Sequence, residues 1–132
     1  VYKGKNGLMS AFKEEYNNVK NKGIVKFIAL PKEYHEDEDV SVFFQKINKD
    51  LFEKKCKIQG IGHKSLKEKW AHKYPDKGYA FKFIDTDFPF DINIFEDSIL
   101  LSLWGEQPII IRVQDKEFVR QAKRFFEETW RS

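Results

Sequence analysis

Phe90-Asp91-Ile92-Asn93-Ile94, Ile99-Leu100-Leu101-Ser102-Leu103-Trp104 and Pro108-Ile109-Ile110-Ile111-Arg112-Val113 are three short segments set apart by acidic and turn-forming residues. The first alternates apolar and polar side chains and the other two are aliphatic or β-branched, so all three read as strands. From Lys116 the period changes. Phe118, Val119, Ala122, Phe125, Phe126 and Trp130 recur at helical spacing, opposite Lys116, Arg120, Lys123, Arg124, Glu127 and Arg131. A closing helix with so wide an apolar face has to lie on the sheet that the strands begin.

Working back from this block, Gly78 to Ile84 reads as a strand with Tyr79, Phe81 and Phe83 on one face, and Asp85-Thr86-Asp87-Phe88-Pro89 as the turn that delivers Phe90. At the other end of the chain Tyr2 to Gly7 reads as a turn-rich opening. Leu8, Phe12, Tyr16 and Val19 then mark a first helix that stops at Gly23. Ile24 to Leu30 reads as a mostly buried strand ending at Pro31, and Val40, Phe43, Phe44, Ile47 and Leu51 mark a second helix to about Lys55. Cys56 to Gly62 reads as another strand. Ser65-Leu66-Lys67-Glu68 matches a capping box that opens a short helix to Pro75.

Early strands separated by helices pair in parallel through crossovers, and late strands joined by tight turns pair antiparallel. The expectation is therefore one α/β domain spanning residues 1–132, a mixed β-sheet with helices on its faces.

Composition sets the class. The 132 residues are 16% aromatic, with 13 Phe, and 34% charged, the balance of a soluble globular domain with an aromatic core. No apolar run approaches the roughly 20 residues that span a bilayer, so no membrane role is expected. Cys56 is the single cysteine, which excludes an internal disulfide and fits an intracellular setting. The net charge of +3 does not by itself argue for nucleic-acid binding. Val1 stands where a start methionine would, which leads to the expectation of a piece of a longer protein.

Three features invite a functional reading. Glu33 to Asp39 carries five acids, but without calcium-loop spacing or its central glycine, so these read as a solvated loop whose charges favour the positive end of the following helix. Cys56, His63 and His72 lack the paired spacing of a zinc site. Between Lys54 and Lys77 eight lysines stand against two acids, with Trp70, Tyr74 and Tyr79 nearby. That stripe could contact phosphates while the rings stack on bases, although helix-borne lysines usually form a wet face and Trp70 keeps core spacing to Leu66 and Tyr74. No phosphate loop, nucleophile elbow or zincin pair occurs. No cofactor, metal or catalytic residue is expected.

The opening Tyr2-Lys3-Gly4-Lys5-Asn6-Gly7-Leu8, the run Ile92-Asn93-Ile94-Phe95-Glu96-Asp97-Ser98-Ile99 and the ending Phe125-Phe126-Glu127-Glu128-Thr129-Trp130 resemble the effector domain of TrmB-like transcriptional regulators. The resemblance covers both ends of the chain; residues 31 to 88 match in pattern alone. It implies a phospholipase D-like fold and a winged helix-turn-helix in a separate N-terminal part that contacts DNA. It also implies a homodimer, a cytoplasmic location and a small-molecule effector such as a sugar. In phospholipase D a His-x-Lys pair followed by Asp carries the chemistry. Laid on this hairpin, the signature falls at Phe90, Ile92 and Asp97, so only the carboxylate remains and the nucleophile and the phosphate-binding cation are gone. The resemblance thus implies a catalytically inactive domain. Its vestigial site, near Phe90, Ile92 and Asp97, with His63 at the end of its strand as an outlying candidate, is the candidate ligand position, and its lining favours an apolar ligand; the plainer alternative is sheet core for Phe90 and Ile92 and a hairpin-turn role for Asp97. The alternatives are a dimerisation module without ligand and a basic nucleic-acid-binding domain.

Overall fold

The chain begins in a strand where the sequence suggests a turn. In the computed structural model, which describes residues 1–29, 37–68 and 78–131, Tyr2–Lys3 forms β1 and pairs antiparallel with Ile110 and Ile109. Gly4 makes the corner at φ +77, a conformation that costs glycine little, and its N–H donates to the Pro108 carbonyl at 2.8 Å. Helix α1 follows immediately, Gly4–Asn17. The small residues read as a loose opening therefore join a sheet edge to a helix. A two-residue strand has no period to read.

Strand β2 is Ile24–Ile28, helix α2 is Glu38–Glu53 and β3 is Lys57–His63. Asp37, Glu38 and Asp39 serve the start of α2, as expected: the Asp37 side chain accepts the Val40 N–H at 3.1 Å, and Glu38 and Asp39 occupy the first turn; Glu33 and Glu36 lie outside the described residues. A 3-10 turn, Lys64–Leu66, follows β3. Here the imidazole of His63, and not the Ser65 hydroxyl, takes the free backbone N–H, that of Ser65. The helix expected to continue to Pro75 lies mostly outside the described residues, as do His35, Trp70, His72 and Tyr74.

The remaining strands are β4, Tyr79–Ile84; β5, Asp91–Ile94; β6, Ile99–Leu103; and β7, Ile109–Val113. Helix α3, Lys116–Arg131, closes the described chain, with Asp115 capping the Phe118 N–H at 2.9 Å. The seven strands form one mixed sheet in the order β1-β7-β6-β5-β2-β3-β4. Strands β2, β3 and β4 are parallel and the rest antiparallel, as the connection lengths required.

Helices α1 and α2 cover one face. Leu8, Phe12, Val40, Phe44 and Leu51 pack there on Val25, Phe27, Ile58 and Leu100. Helix α3 covers part of the other face, with Val119 and Phe126 buried against Ile28, Ile61, Ile94 and Ile99. Lys26 reinforces this contact, its Nζ 3.0 Å from Glu127 Oε1 and 5.4 Å from the Phe126 ring centre. The Lys82 ammonium donates to the Trp130 carbonyl at the far end of the helix.

The apolar face of α3 is wider than the sheet can use. Phe118 and Phe125 remain 48% and 45% exposed, on the flank away from Lys123 and Glu127. Leu103, Ile109 and Ile111 are also exposed on the α3 side of β6 and β7, where Leu103 faces Ile109 and Leu101 faces Ile111 in register.

Candidate functional site

The carboxyl ends of β2, β3 and β4 point to one rim of the sheet, where β5 begins and β6 ends. In open α/β sheets this rim is where ligands settle, because connections leave the strands there in different directions. Ala29 turns the chain out of β2 with φ +66, unusual for a residue with a Cβ, and its N–H stays bonded to the Ile61 carbonyl at 2.8 Å. A cavity of about 220 Å³ opens beside it, lined by Ala29, His63, Thr86, Asp87, Phe88, Pro89, Phe90, Asp91, Ser102, Leu103 and Trp104.

Asp91 forms its floor. The carboxylate is 7% exposed and accepts the Trp104 indole N–H at 2.7 Å on Oδ2. Burying an ionised carboxylate is tolerable only with such partners. Asp91 and Trp104 also wall off an inner hollow of about 20 Å³, room for a single water, under Phe12, Tyr16, Phe27 and Phe44. In that hollow the Asn48 amide donates to the Tyr79 hydroxyl at 3.1 Å. Ser102 stands opposite Asp91 in the β5–β6 register; its hydroxyl is buried and has no hydrogen-bond partner among the described residues.

His63 closes one side. Its Nδ1 accepts the Ser65 N–H at 3.1 Å and lies 2.8 Å from Ser65 Oγ. The ring proton is thereby directed to Nε2, which faces Asp85 Oδ1 at 3.5 Å and Asp87 Oδ1 at 3.7 Å. Serine, histidine and aspartate in this sequence have the composition of a hydrolase triad. Ser65, however, is exposed and does not line the cavity among the described residues; its hydroxyl lies in the turn after β3.

Of the four residues singled out from the sequence, the fold brings two together. Phe90 and His63 both line the cavity. Ile92 points to the opposite face and packs into the cluster beneath α3. Asp97 is exposed in the β5–β6 turn at the other end of the strand, beside a separate hollow of about 410 Å³ shared with Glu15, Ser98 and Arg112. The residues that build the cavity, Asp87, Asp91, Ser102 and Trp104, are not among the four, because they come from a turn and from two different strands that only the sheet order brings together. Both faces of β5 are in fact covered, and two polar residues at alternate positions of an interior strand are the signal that could have found them.

Among the described residues no group of three histidine, cysteine or acidic side chains could hold a metal ion. Cys56 is buried, with its thiol directed at the Lys20 carbonyl at 3.3 Å. The described lysines of the basic stripe divide into two groups at opposite ends of β3. Lys57 and Lys64 are seven residues apart in extended chain, roughly 23 Å; Lys69, Lys73 and Lys77 lie outside the described residues. No described helix is long and apolar enough to cross a membrane.

The described residues define a mixed α/β domain: seven strands, two helices on one face and one on the other, and a cleft at the ends of the parallel strands. Its fold is shared with TrmBL2, an archaeal chromatin protein whose structure shows a novel mode of DNA binding. All of this chain superposes on that protein with a TM-score of 0.68 at 14% sequence identity. The chain spans about half of TrmBL2, 51% of its length. No protein-family model matches the chain, and neither does any curated protein sequence.

Proposed function

We propose that this chain is the sensing and dimerising domain of a TrmB-like transcriptional regulator, without phosphodiesterase activity. In that role it acts in the cytoplasm beside a separate part that grips DNA. The observation that carries this reading is the whole-chain superposition on half of TrmBL2, which leaves an equal share of such a protein for other work. The absence of His and Lys at Phe90 and Ile92 supports an inactive descendant of a phosphodiesterase.

The exposed strip of Leu103, Ile109 and Ile111, with the free flank of α3 carrying Phe118 and Phe125, supports self-association. The strip is carried by two paired strands, and an exposed apolar ladder of this kind fits the same surface of a second copy related by a two-fold axis. A dimer would fix the distance between two DNA-binding parts, and an effector that prefers one dimer geometry would change operator affinity by that preference.

Solution mass tests the reading. The chain should sediment as a dimer at micromolar concentration, and Ile111→Asp should convert it to a folded monomer with little change in Tm. A wild-type monomer under these conditions would remove the dimerising role, and turnover of a generic phosphodiester would remove the inactive one.

A further inference from the structure

We propose that His63 makes the turn after β3 a proton-operated latch. The neutral imidazole holds that turn as a hydrogen-bond acceptor; the imidazolium lets go of the Ser65 N–H and is drawn to the turn after β4. This holds whether or not the chain belongs to a regulator.

The Nδ1 atom of His63 can serve its turn in one protonation state only. At the start of the Lys64–Leu66 turn the Ser65 N–H donates to Nδ1 at 3.1 Å. An imidazole nitrogen accepts only while it carries no proton, and in the imidazolium both nitrogens are donors. Once the ring is charged, the Ser65 N–H and the new Nδ1–H point at each other and the cap is lost. Serine at this position gives the new proton a place to go, because Ser65 Oγ lies 2.8 Å from Nδ1 and can accept it.

The other nitrogen faces the opposite turn. Nε2 lies 3.5 Å from Asp85 Oδ1 and 3.7 Å from Asp87 Oδ1, at or beyond the limit of a directed hydrogen bond. While the ring is neutral these contacts are weak. Protonation turns both into ion pairs. Each is small, since both carboxylates are exposed, but together they set the direction in which the charged ring moves when it leaves the Ser65 N–H.

The other charged groups around the ring have work of their own or lie in its own segment. Lys64, Lys67 and Glu68 follow it in the chain. Asp91, across the rim cavity, accepts the Trp104 N–H. On the same face of the sheet Lys82 donates to the Trp130 carbonyl, and Glu127 of α3 pairs with Lys26. Two chain connections therefore meet at one titrating side chain. Both border the rim cavity, through His63 on one side and Asp87 and Phe88 on the other. The cavity wall thus follows protons across the range in which imidazole titrates, about pH 5 to 8.

NMR of the isotopically labelled chain across that range tests the latch. At its alkaline end the His63 nitrogens should report the Nε2–H tautomer. As the ring takes up its proton the Ser65 amide proton should move upfield, having lost its acceptor, and the Asp85 and Asp87 amides should move with the same midpoint. His63→Gln supplies an acceptor that does not titrate, so it should hold the Ser65 amide in its alkaline position throughout and abolish the movement at Asp85 and Asp87. An Nδ1–H tautomer at the alkaline end would overturn the proposal, as would a Ser65 amide that stays in place while the ring titrates. So would Asp85 and Asp87 amides that ignore the titration, or a His63→Gln chain in which all three transitions persist.

Discussion

Gly60 lies directly beside Phe27 in the β2–β3 register, and the Phe27 ring occupies the place that a side chain at residue 60 would take. A Cβ built there would come within 2.1 Å of Phe27 Cζ. The ring thus lies across the neighbouring strand and reaches Phe81 on β4, 6.1 Å between centres. Gly60→Ala should force Phe27 out of its rotamer and destabilise the fold by about 1–3 kcal/mol, the usual cost of overpacking. Denaturant unfolding checks this, and the same substitution in a Phe27→Leu background should cost clearly less. Equal costs in the two backgrounds would assign the strain to backbone instead of ring.

Glu15 on α1 is buried, accepts the Ser98 hydroxyl at 2.6 Å, and faces Arg112 on β7, Nε to Oε1 at 2.5 Å. The pair is a close ionic contact whose angle falls short of a directed hydrogen bond, since neither atom has such a partner. Arg112→Met should be the harmful change, roughly 3–5 kcal/mol, because it strands a carboxylate in the interior. Combining it with Glu15→Gln should recover much of the loss. A double-mutant cycle by urea titration measures the coupling.

Trp104→Phe removes the indole N–H from the buried Asp91 carboxylate and should cost about 1–3 kcal/mol. In an Asp91→Asn background the same change should cost less, because no charge then needs the donor. Near-additive losses would mean that ring packing, not the hydrogen bond, is what Trp104 supplies.

Acid should loosen the start of α3 before it unfolds the sheet. Hydrogen bonds from Arg120, the larger influence, and Gln121 hold the Glu117 carboxyl from its ordinary value of 4.5 down to about 2. A depressed carboxyl stabilises the fold above its unfolded value, so the contribution is complete above pH 4.5 and is lost as pH falls toward about 2. Amide resonances of the first turn of α3 should titrate with a midpoint at about 2, and not at the ordinary 4.5, and Glu117→Gln should abolish the transition locally.

The late strands and α3 were legible to within a residue or two because their periods are unmixed: Asp91–Ile94, Ile99–Leu103, Ile109–Val113 and Lys116–Arg131 all follow the pattern of apolar positions. The division into parallel and antiparallel halves followed from connection lengths. What periodicity cannot say is how many faces of an element are covered. Asp91 and Asn93 look wet and are buried, while Phe118 and Phe125 look buried and are not. The cavity escaped for a different reason. Its residues come from the ends of β2, β3, β5 and β6 and from the turn after β4, and only the sheet order makes them neighbours.

Tyr2 pairs with Ile110, a partner 108 positions further along the chain. During synthesis the edge of β6 therefore stays open until β7 leaves the ribosome, and the first strand waits longer still for its own place. A nascent chain halted before β7 is complete presents bare amides and carbonyls beside aliphatic side chains, the combination that recruits other unfinished copies. Chaperone dependence in the cell should therefore track the speed at which residues after Leu103 are translated.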